Sequence, residues 1–382
     1  MSGSHSGLRE VIEAIQATQR PVALAVTGGG SLALNWLLGH PGASRSITDA
    51  QIPYHEAALA EYLEQEGPHP TNPETARRMA LVACQRAGRH TSRSDAAGVG
   101  VTAALTTSRQ RRGADRASLV VRANERYHLR QVAFDKDAVD RQQQERALSL
   151  ALVDLLAAAF ETRRVDDPCP EWVSITDSQI PVDLPLEDLL AGRVPAIEWN
   201  GESATAEPSR HERLLVAGSF NPIHAGHLGL ASTAGHLSGR EPILELSVQN
   251  VDKPPLGYDE VWMRWESVRE HELGLIVTGE PTFDGKARLF PGCDFAIGCD
   301  TAQRVIEPRY YGSVQKMELA LDELLEGGSR FFVAGRVWQG SYRGLESMEI
   351  SSRHRPLFVG IPEASFRVDI SSSELRQSGG LA

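Results

Sequence analysis

The chain has 382 residues, more than one average domain, so two domains are expected. Thirty-nine Lys and Arg against fifty Asp and Glu give a formal charge of -11, and 41% of the residues are apolar. This balance argues against a nucleic-acid partner, which needs a basic face, but not against an anionic small molecule met by a few N–H groups and cations.

Met1 to Leu8 lacks the charged-then-apolar order of a signal peptide, and no stretch approaches the roughly 20 apolar residues that span a bilayer. A cytoplasmic protein with no membrane partner is expected. The four cysteines form no Cys-x-x-Cys pair and read as thiols in a reducing compartment. Apolar residues recur at helical spacing in Arg9 to Thr18, Glu74 to Ala87 and Gln142 to Phe160. Pro21 to Val26, Gly98 to Ala104 and Ala117 to Arg122 are short apolar runs that read as strands. Helices interleaved with buried strands predict an α/β sandwich over residues 1–165.

Residues 166–210 carry ten acidic residues, two basic ones and six prolines, and read as an acidic, Pro-rich connector. Its patch Val182, Leu184, Leu186, Leu189 and Leu190 is expected to pack on a domain. In residues 211–382, the strand candidates are Arg213 to Ala217, Ile243 to Val248, Phe295 to Ile297, Phe331 to Ala334 and Pro356 to Val359. Helical stretches between most of them predict a doubly wound, mostly parallel, Rossmann-like sheet.

The run Leu214-Leu215-Val216-Ala217-Gly218-Ser219-Phe220-Asn221-Pro222-Ile223-His224-Ala225-Gly226-His227 reads as a buried strand, a turn and a helix start. Gly218 lets the backbone come close to a ligand, and the loop can turn N–H donors toward a phosphate. His224 and His227, three residues apart, face the same way on a first helical turn, with the small Gly226 between them. Paired imidazoles at a helix amino terminus can stabilise charge developing on a phosphate. No carboxylate or third His follows at ligand spacing, so no metal site is expected. Ile370-Ser371-Ser372-Ser373-Glu374-Leu375-Arg376 reads as a Ser-capped helix start with a forked cation one turn later.

These two stretches resemble the signatures of the nucleotidylyltransferase superfamily, in particular the nicotinamide mononucleotide (NMN) adenylyltransferases: Gly-Ser/Thr-Phe-Asn-Pro-x-His-x-Gly-His and Ile-Ser-Ser-Thr-x-x-Arg. The resemblance implies adenylyl transfer from ATP to NMN, giving NAD and pyrophosphate, with Mg²⁺ arriving on the triphosphate. It assigns His224 and His227 to the α- and β-phosphate oxygens. Arg376 with Ser371, Ser372 and Ser373 would take the leaving pyrophosphate, and Lys253 a further phosphate. Gly218, Ser219, Phe220 and Asn221 would form the floor of the nucleotide site, with Arg264 near the acceptor. Phe295-Ala296-Ile297-Gly298-Cys299-Asp300 resembles the family strand ending in Gly-x-Asp, placing Gly298 and Asp300 beside the bound dinucleotide. CTP as donor, or another phosphorylated acceptor, remains open, as does a sensor that binds nucleotides without turnover.

The amino-terminal half carries Val26-Thr27-Gly28-Gly29-Gly30-Ser31 and Pro41-Gly42-Ala43-Ser44-Arg45, followed by Tyr54. This pattern resembles the CinA carboxy-terminal family, whose active members are NMN deamidases. Thr27, Gly28, Gly29, Ser31, Ser44, Tyr54 and Thr102 are the ligand candidates that the resemblance supplies. Active deamidases carry Ser-Cys before Thr-Gly-Gly, whereas this chain has Ala25-Val26. A degenerate domain that binds a nucleotide or forms a homo-oligomer is expected, with deamidation the alternative.

Overall fold

The computed structural model describes residues 3–107, 113–135, 139–166, 169–201, 203–209, 211–249, 254–271, 273–338 and 341–367. The chain divides into two compact units, Met1–Val182 and Asp183–Ala382.

In chain order the first unit contains α1 (Gly3–Ala17), β1 (Val22–Thr27), α2 (Ser31–Gly39), β2 (Ile47–Gln51), α3 (Glu56–Leu63) and α4 (Pro73–Thr91). There follow β3 (Ala97–Ala104), β4 (Asp115–Ala123), β5 (Arg126–Phe134), α5 (Arg141–Ala159) and β6 (Val173–Pro181). The sheet order is β2-β1-β3-β4-β5-β6, parallel at β2-β1-β3 and antiparallel beyond. Asn72 caps α4 ahead of Pro73, and Asp140 with Gln143 forms a capping box on α5. One face of the sheet buries Val22, Leu24, Val99 and Leu119 against Leu148, Leu152 and Leu156 of α5 and Val11 and Ile15 of α1. On the other face, α4 lies so close to β3 that a Cβ on Gly98 or Gly100 would sit 2.0 Å from the carbonyl oxygen of Ala80 or Ala76. The glycines of Gly98-Val99-Gly100 are there to admit the helix backbone.

The second unit contains α6 (Leu184–Leu190), β7 (Ala196–Trp199), β8 (Ala204–Thr205), β9 (Leu214–Ala217), α7 (Ala225–Ser238), β10 (Pro242–Ser247) and α8 (Tyr258–Arg269). It continues with β11 (Leu275–Thr278), α9 (Phe283–Leu289), β12 (Asp294–Gly298), α10 (Cys299–Val305), α11 (Val314–Glu326) and β13 (Phe331–Ala334). The hairpin β14 (Arg336–Trp338) and β15 (Ser341–Arg343) precedes β16 (Phe358–Ile361). The order is β16-β13-β12-β9-β10-β11-β7-β8, with the strands from β16 to β11 parallel and β7 and β8 antiparallel at the edge. Taken by sequence, the parallel strands run 3-2-1-4-5-6, the doubly wound order whose direction of winding reverses between β9 and β12. Leu215, Ile243, Ile276, Phe295 and Phe331 pack with Leu321 and Leu324 of α11. Leu214, Val216 and Leu244 alternate to the opposite face and are equally buried, and α7 lies against β9, β10 and β12.

Residues 166–210, expected as one connector, are shared between the units: β6 pairs with β5 and β7 pairs with β11. The composition hides this for two reasons. Ser174, Thr176, Asp177, Ser178 and Gln179 of β6 are exposed on an edge strand, so the strand reads as polar. Several acids near β7 are buried and partnered. Asp183 accepts from the Trp199 indole at 3.0 Å, and Glu198 pairs with Arg213 at 2.8 Å. Of the apolar patch, Leu186 and Leu189 are buried whereas Leu184 is exposed.

Candidate active site

β9 is buried on both faces and ends at Ala217, and the N–H of Gly218 still donates to the Glu245 carbonyl of β10 at 3.0 Å. The chain then folds back. Phe220, at φ 45° and 1% exposed, lays its ring where a Cβ on Gly218 would stand, 2.6 Å from the ring edge. Only glycine at 218 leaves room for it. The Phe220 ring then meets the His227 ring edge-on, with centroids 5.0 Å apart, and supports it from behind.

The first turn of α7 is capped by its own histidines. The Gly226 N–H donates to Nδ1 of His224 at 3.1 Å, and the His224 N–H donates to Nδ1 of His227 at 3.2 Å. Two orphan N–H groups of the helix start are thereby satisfied reciprocally. A ring nitrogen that accepts from a backbone N–H carries no proton, so each neutral ring has its hydrogen on Nε2. The two rings lie 3.9 Å apart, centroid to centroid, so both Nε2–H donors belong to one small region. Burial lowers the pKa of His224. Burial, with the neighbouring His224, pushes His227 down to about 4. Near neutral pH the pair is therefore uncharged, a pair of N–H donors rather than a pair of cations.

This turn stands at the carboxyl end of β9, beside β12, where the sheet reverses its winding and where open α/β sheets leave a crevice. Gly298 ends β12, and Asp300 follows in the first turn of α10, its carboxylate paired with Arg336 at 2.5 Å. Arg264 of α8 is buried and donates from Nε to the Ser219 carbonyl at 2.9 Å, tying α8 to the loop. Gly218, Ser219, Phe220, Asn221, His224, Gly226 and His227 thus share one turn. Lys253, Ser371, Ser372, Ser373 and Arg376 lie outside the described residues.

Beside the turn, between the end of β10 and α10, lies a cavity of about 650 Å³. Gly218, Ser219 and Asn221 line one side, and Pro254, Pro255, Phe283 and Tyr310 are among its other walls. Glu245 and Lys286 also line it, although they are only 1% and 5% exposed. Along that face Leu215, Ile243 and Ile276 pack into the core, and one step further the strands carry Ala217, Glu245 and Thr278. Glu245 accepts from Lys286 Nζ at 2.7 Å and from the Thr278 hydroxyl at 2.8 Å. Sequence reasoning missed this group, and its signal was a charged residue inside the apolar run Ile243-Leu244-Glu245-Leu246. Among the described residues, no group of three or more His, Cys, Asp and Glu could hold a metal ion. No helix among them is long and apolar enough to cross a membrane.

In the first unit, Thr27, the last residue of β1, is the register partner of Thr102 in parallel β3. Gly28 and Gly29 lead into α2, and the helix start is already filled. The carboxylate of Glu145, from α5, accepts from the Gly30 N–H at 2.9 Å, the Ser31 hydroxyl at 3.0 Å and the Leu32 N–H at 3.1 Å. Arg141, one turn earlier in α5, donates to the carbonyls of Gly28 and Thr106, both at 3.1 Å, and to the Tyr54 hydroxyl at 3.4 Å. Thr27, Gly28, Ser31, Tyr54 and Thr102 therefore gather at one end of the sheet, whereas Ser44 is exposed in the 3-10 turn Ala43–Arg45. Ala25, where the deamidases of the resemblance carry Ser, is buried among Leu59, Leu63 and Met79.

No protein-family model matches the chain. Over 179 residues, 44% of this chain and 83% of the other, the sequence is 29% identical to a protein named "Probable nicotinate-nucleotide adenylyltransferase" from Gloeobacter violaceus. Among solved structures it is similar to a CinA superfamily protein from Escherichia coli, at 13% identity over 41% of this chain and 87% of that one, with a TM-score of 0.32. A competence/damage-inducible protein, CihA, from Agrobacterium tumefaciens is 18% identical over 42% of this chain and 96% of its own, with a TM-score of 0.30.

Proposed function

We propose that the second unit is a nucleotidyltransferase that moves an adenylyl group from ATP to a pyridine mononucleotide, NMN, with release of pyrophosphate and formation of NAD. The observation that carries this reading is the reciprocal Nδ1 capping of α7, which puts protons on both Nε2 atoms at the carboxyl end of β9. The sequence likeness to an adenylyltransferase named for a nicotinate nucleotide supports the same class of chemistry.

An oxygen of the acceptor phosphate attacks the α-phosphorus in line, and the bond from that phosphorus to the bridging oxygen of the β-phosphate breaks. The attacking phosphate is already ionised near neutral pH, so no side chain has to remove a proton from it. The chain's own contribution is positioning and charge stabilisation. The Nε2–H groups of His224 and His227 donate to the phosphate oxygens, and the gathering charge favours protonating rings that burial otherwise keeps neutral. In this reading Arg376 and the serines Ser371 to Ser373 hold the departing pyrophosphate, and Lys253 contacts a phosphate. Mg²⁺ enters as part of the MgATP substrate, held by the phosphates, and no step is assigned to a protein-bound ion. The first unit, with Ala25 buried in an apolar cluster, has no role in hydrolysis in this proposal.

The test is pyrophosphate release from purified protein given MgATP with NMN. Release that requires both supports the proposal. Release with CTP and not ATP would replace the donor, and ammonia release from NMN without ATP would return catalysis to the first unit.

A further inference from the structure

We infer that the buried Glu245–Lys286 pair reads the ring substituent of the acceptor and selects an uncharged carboxamide over a carboxylate. This rests on the proposal above that the acceptor is a pyridine mononucleotide, and it commits the cavity beside the Gly218 turn to the acceptor's ring.

The cavity has the size and walls for such a ligand. Its volume of about 650 Å³ suits a small molecule of mononucleotide size, and Phe283, Tyr310, Pro254 and Pro255 offer flat apolar surface for a planar ring. It is lined by the end of β10 and by Thr301, Arg304 and Val305 of α10, which follows β12, so it spans the point where the winding reverses. Gly298 ends β12, and Asp300 stands in the first turn of α10 beside Thr301 of the cavity wall. Open α/β sheets bind ligands at such a point, so the cavity stands where a ligand is expected.

The floor is unusual in what it buries. An ion pair held out of water contributes little to stability compared with an apolar pair of the same volume, because desolvation offsets the attraction. Here one stands at the end of strands that are otherwise apolar on that face, and it opens onto a cavity. Its geometry leaves hydrogen-bonding capacity over. The ammonium of Lys286 has three N–H groups, one of which goes to Glu245, and the Phe283 ring 4.9 Å away holds it in place. Among the described residues each oxygen of Glu245 receives one bond, from Thr278 or from Lys286, and each has a second lone pair. Donor and acceptor therefore stand side by side.

A carboxamide carries the complementary set, a carbonyl oxygen for Lys286 and N–H groups for Glu245. A carboxylate carries acceptors only. It can meet Lys286, but its other oxygen then faces the carboxylate of Glu245, with no proton between two like charges. Sites built to bond a substrate N–H discriminate strongly against an analogue that lacks it, because the site's own group is left unpaired.

The experiment measures binding apart from turnover. Calorimetry of the full chain with NMN and with its nicotinate counterpart gives two dissociation constants, and initial rates with MgATP give kcat/KM for each. NMN is expected to bind at least about tenfold tighter, and Glu245→Gln, which removes the like charge, is expected to shrink that ratio to within about threefold. If Gln at 245 prevents folding, the double change Glu245→Met with Lys286→Met keeps the volume apolar and should abolish discrimination. Equal or tighter binding of the nicotinate form by the wild type, no binding of either, or an unchanged ratio in the variants would overturn the inference. The two readings fail separately. Preference for NMN in binding without pyrophosphate release removes the transferase and leaves the floor's selectivity standing. Equal turnover of both acceptors does the reverse.

Discussion

At the turn from β1 into α2, the N–H groups of Gly30 and Leu32 are taken by the carboxylate of Glu145, 115 residues from Gly30. At the turn from β9 into α7, the corresponding N–H groups are taken by ring nitrogens of His224, which caps the helix, and His227 in its first turn. Both are helix starts after parallel strands, with the partial positive charge of the helix dipole directed outward. In the first, a full negative charge from the protein itself occupies the place an anion would take. In the second, the caps are neutral, and each imidazole passes on a donor from its far side. Satisfying a helix terminus and presenting it to a ligand are thus separate outcomes, decided by which atom does the capping.

The largest expected effect that divides the two turns is on catalysis. His227→Ala should lower pyrophosphate release by about 10²-fold or more, the scale for removing one charge-stabilising donor. Thermal unfolding of the first unit should not change. Equal rates in variant and wild type would show that the second turn is as closed to ligands as the first.

Glu145→Ala comes next. It leaves two N–H groups and a hydroxyl without their partner, and should destabilise the first unit by about 1–2 kcal/mol. Denaturant melts that follow each unit would record this, with pyrophosphate release unaltered. An unchanged midpoint would mean that water replaces the carboxylate without loss.

A pH dependence separates the two turns as well. The imidazole of His227 takes a proton near 6.5 in the unfolded chain but only near 4 in the folded one. Between those values the unfolded state binds more protons, so this contribution to stability is complete above about 6.5 and is lost as pH falls toward 4. The melting temperature of the second unit should drop between pH 7 and pH 4.5, and drop less in His227→Gln. Parallel curves for the two proteins would contradict the burial argument.

Much of the second turn was legible in the sequence because its parts are adjacent. Gly218 to His227 fold on one another within ten residues, and their chemistry follows from their order. The strands β9, β10, β12 and β13 were legible as apolar runs, since both faces are buried. β6 was not legible because only Val173 and Ile175 alternate inward before a polar, exposed run from Thr176 to Gln179, and the acids around β7 find their partners in Trp199 and Arg213, 15–16 residues along the chain. The same holds for the two groups that give each turn its surroundings. Glu245 and Lys286 are 41 residues apart, and Ser31 and Glu145 are 114 apart. Spacing along the chain says nothing about such pairs until the sheet has formed.

Glu245 meets the Gly218 turn through its main-chain carbonyl and meets Lys286 through its carboxylate. The first bond is indifferent to which side chain stands at 245, whereas the second depends on it entirely. Lineages sharing this strand order could therefore rewrite the cavity's preference at that position while the histidine turn kept its anchor. A change in what the cavity recognises then need not disturb the turn.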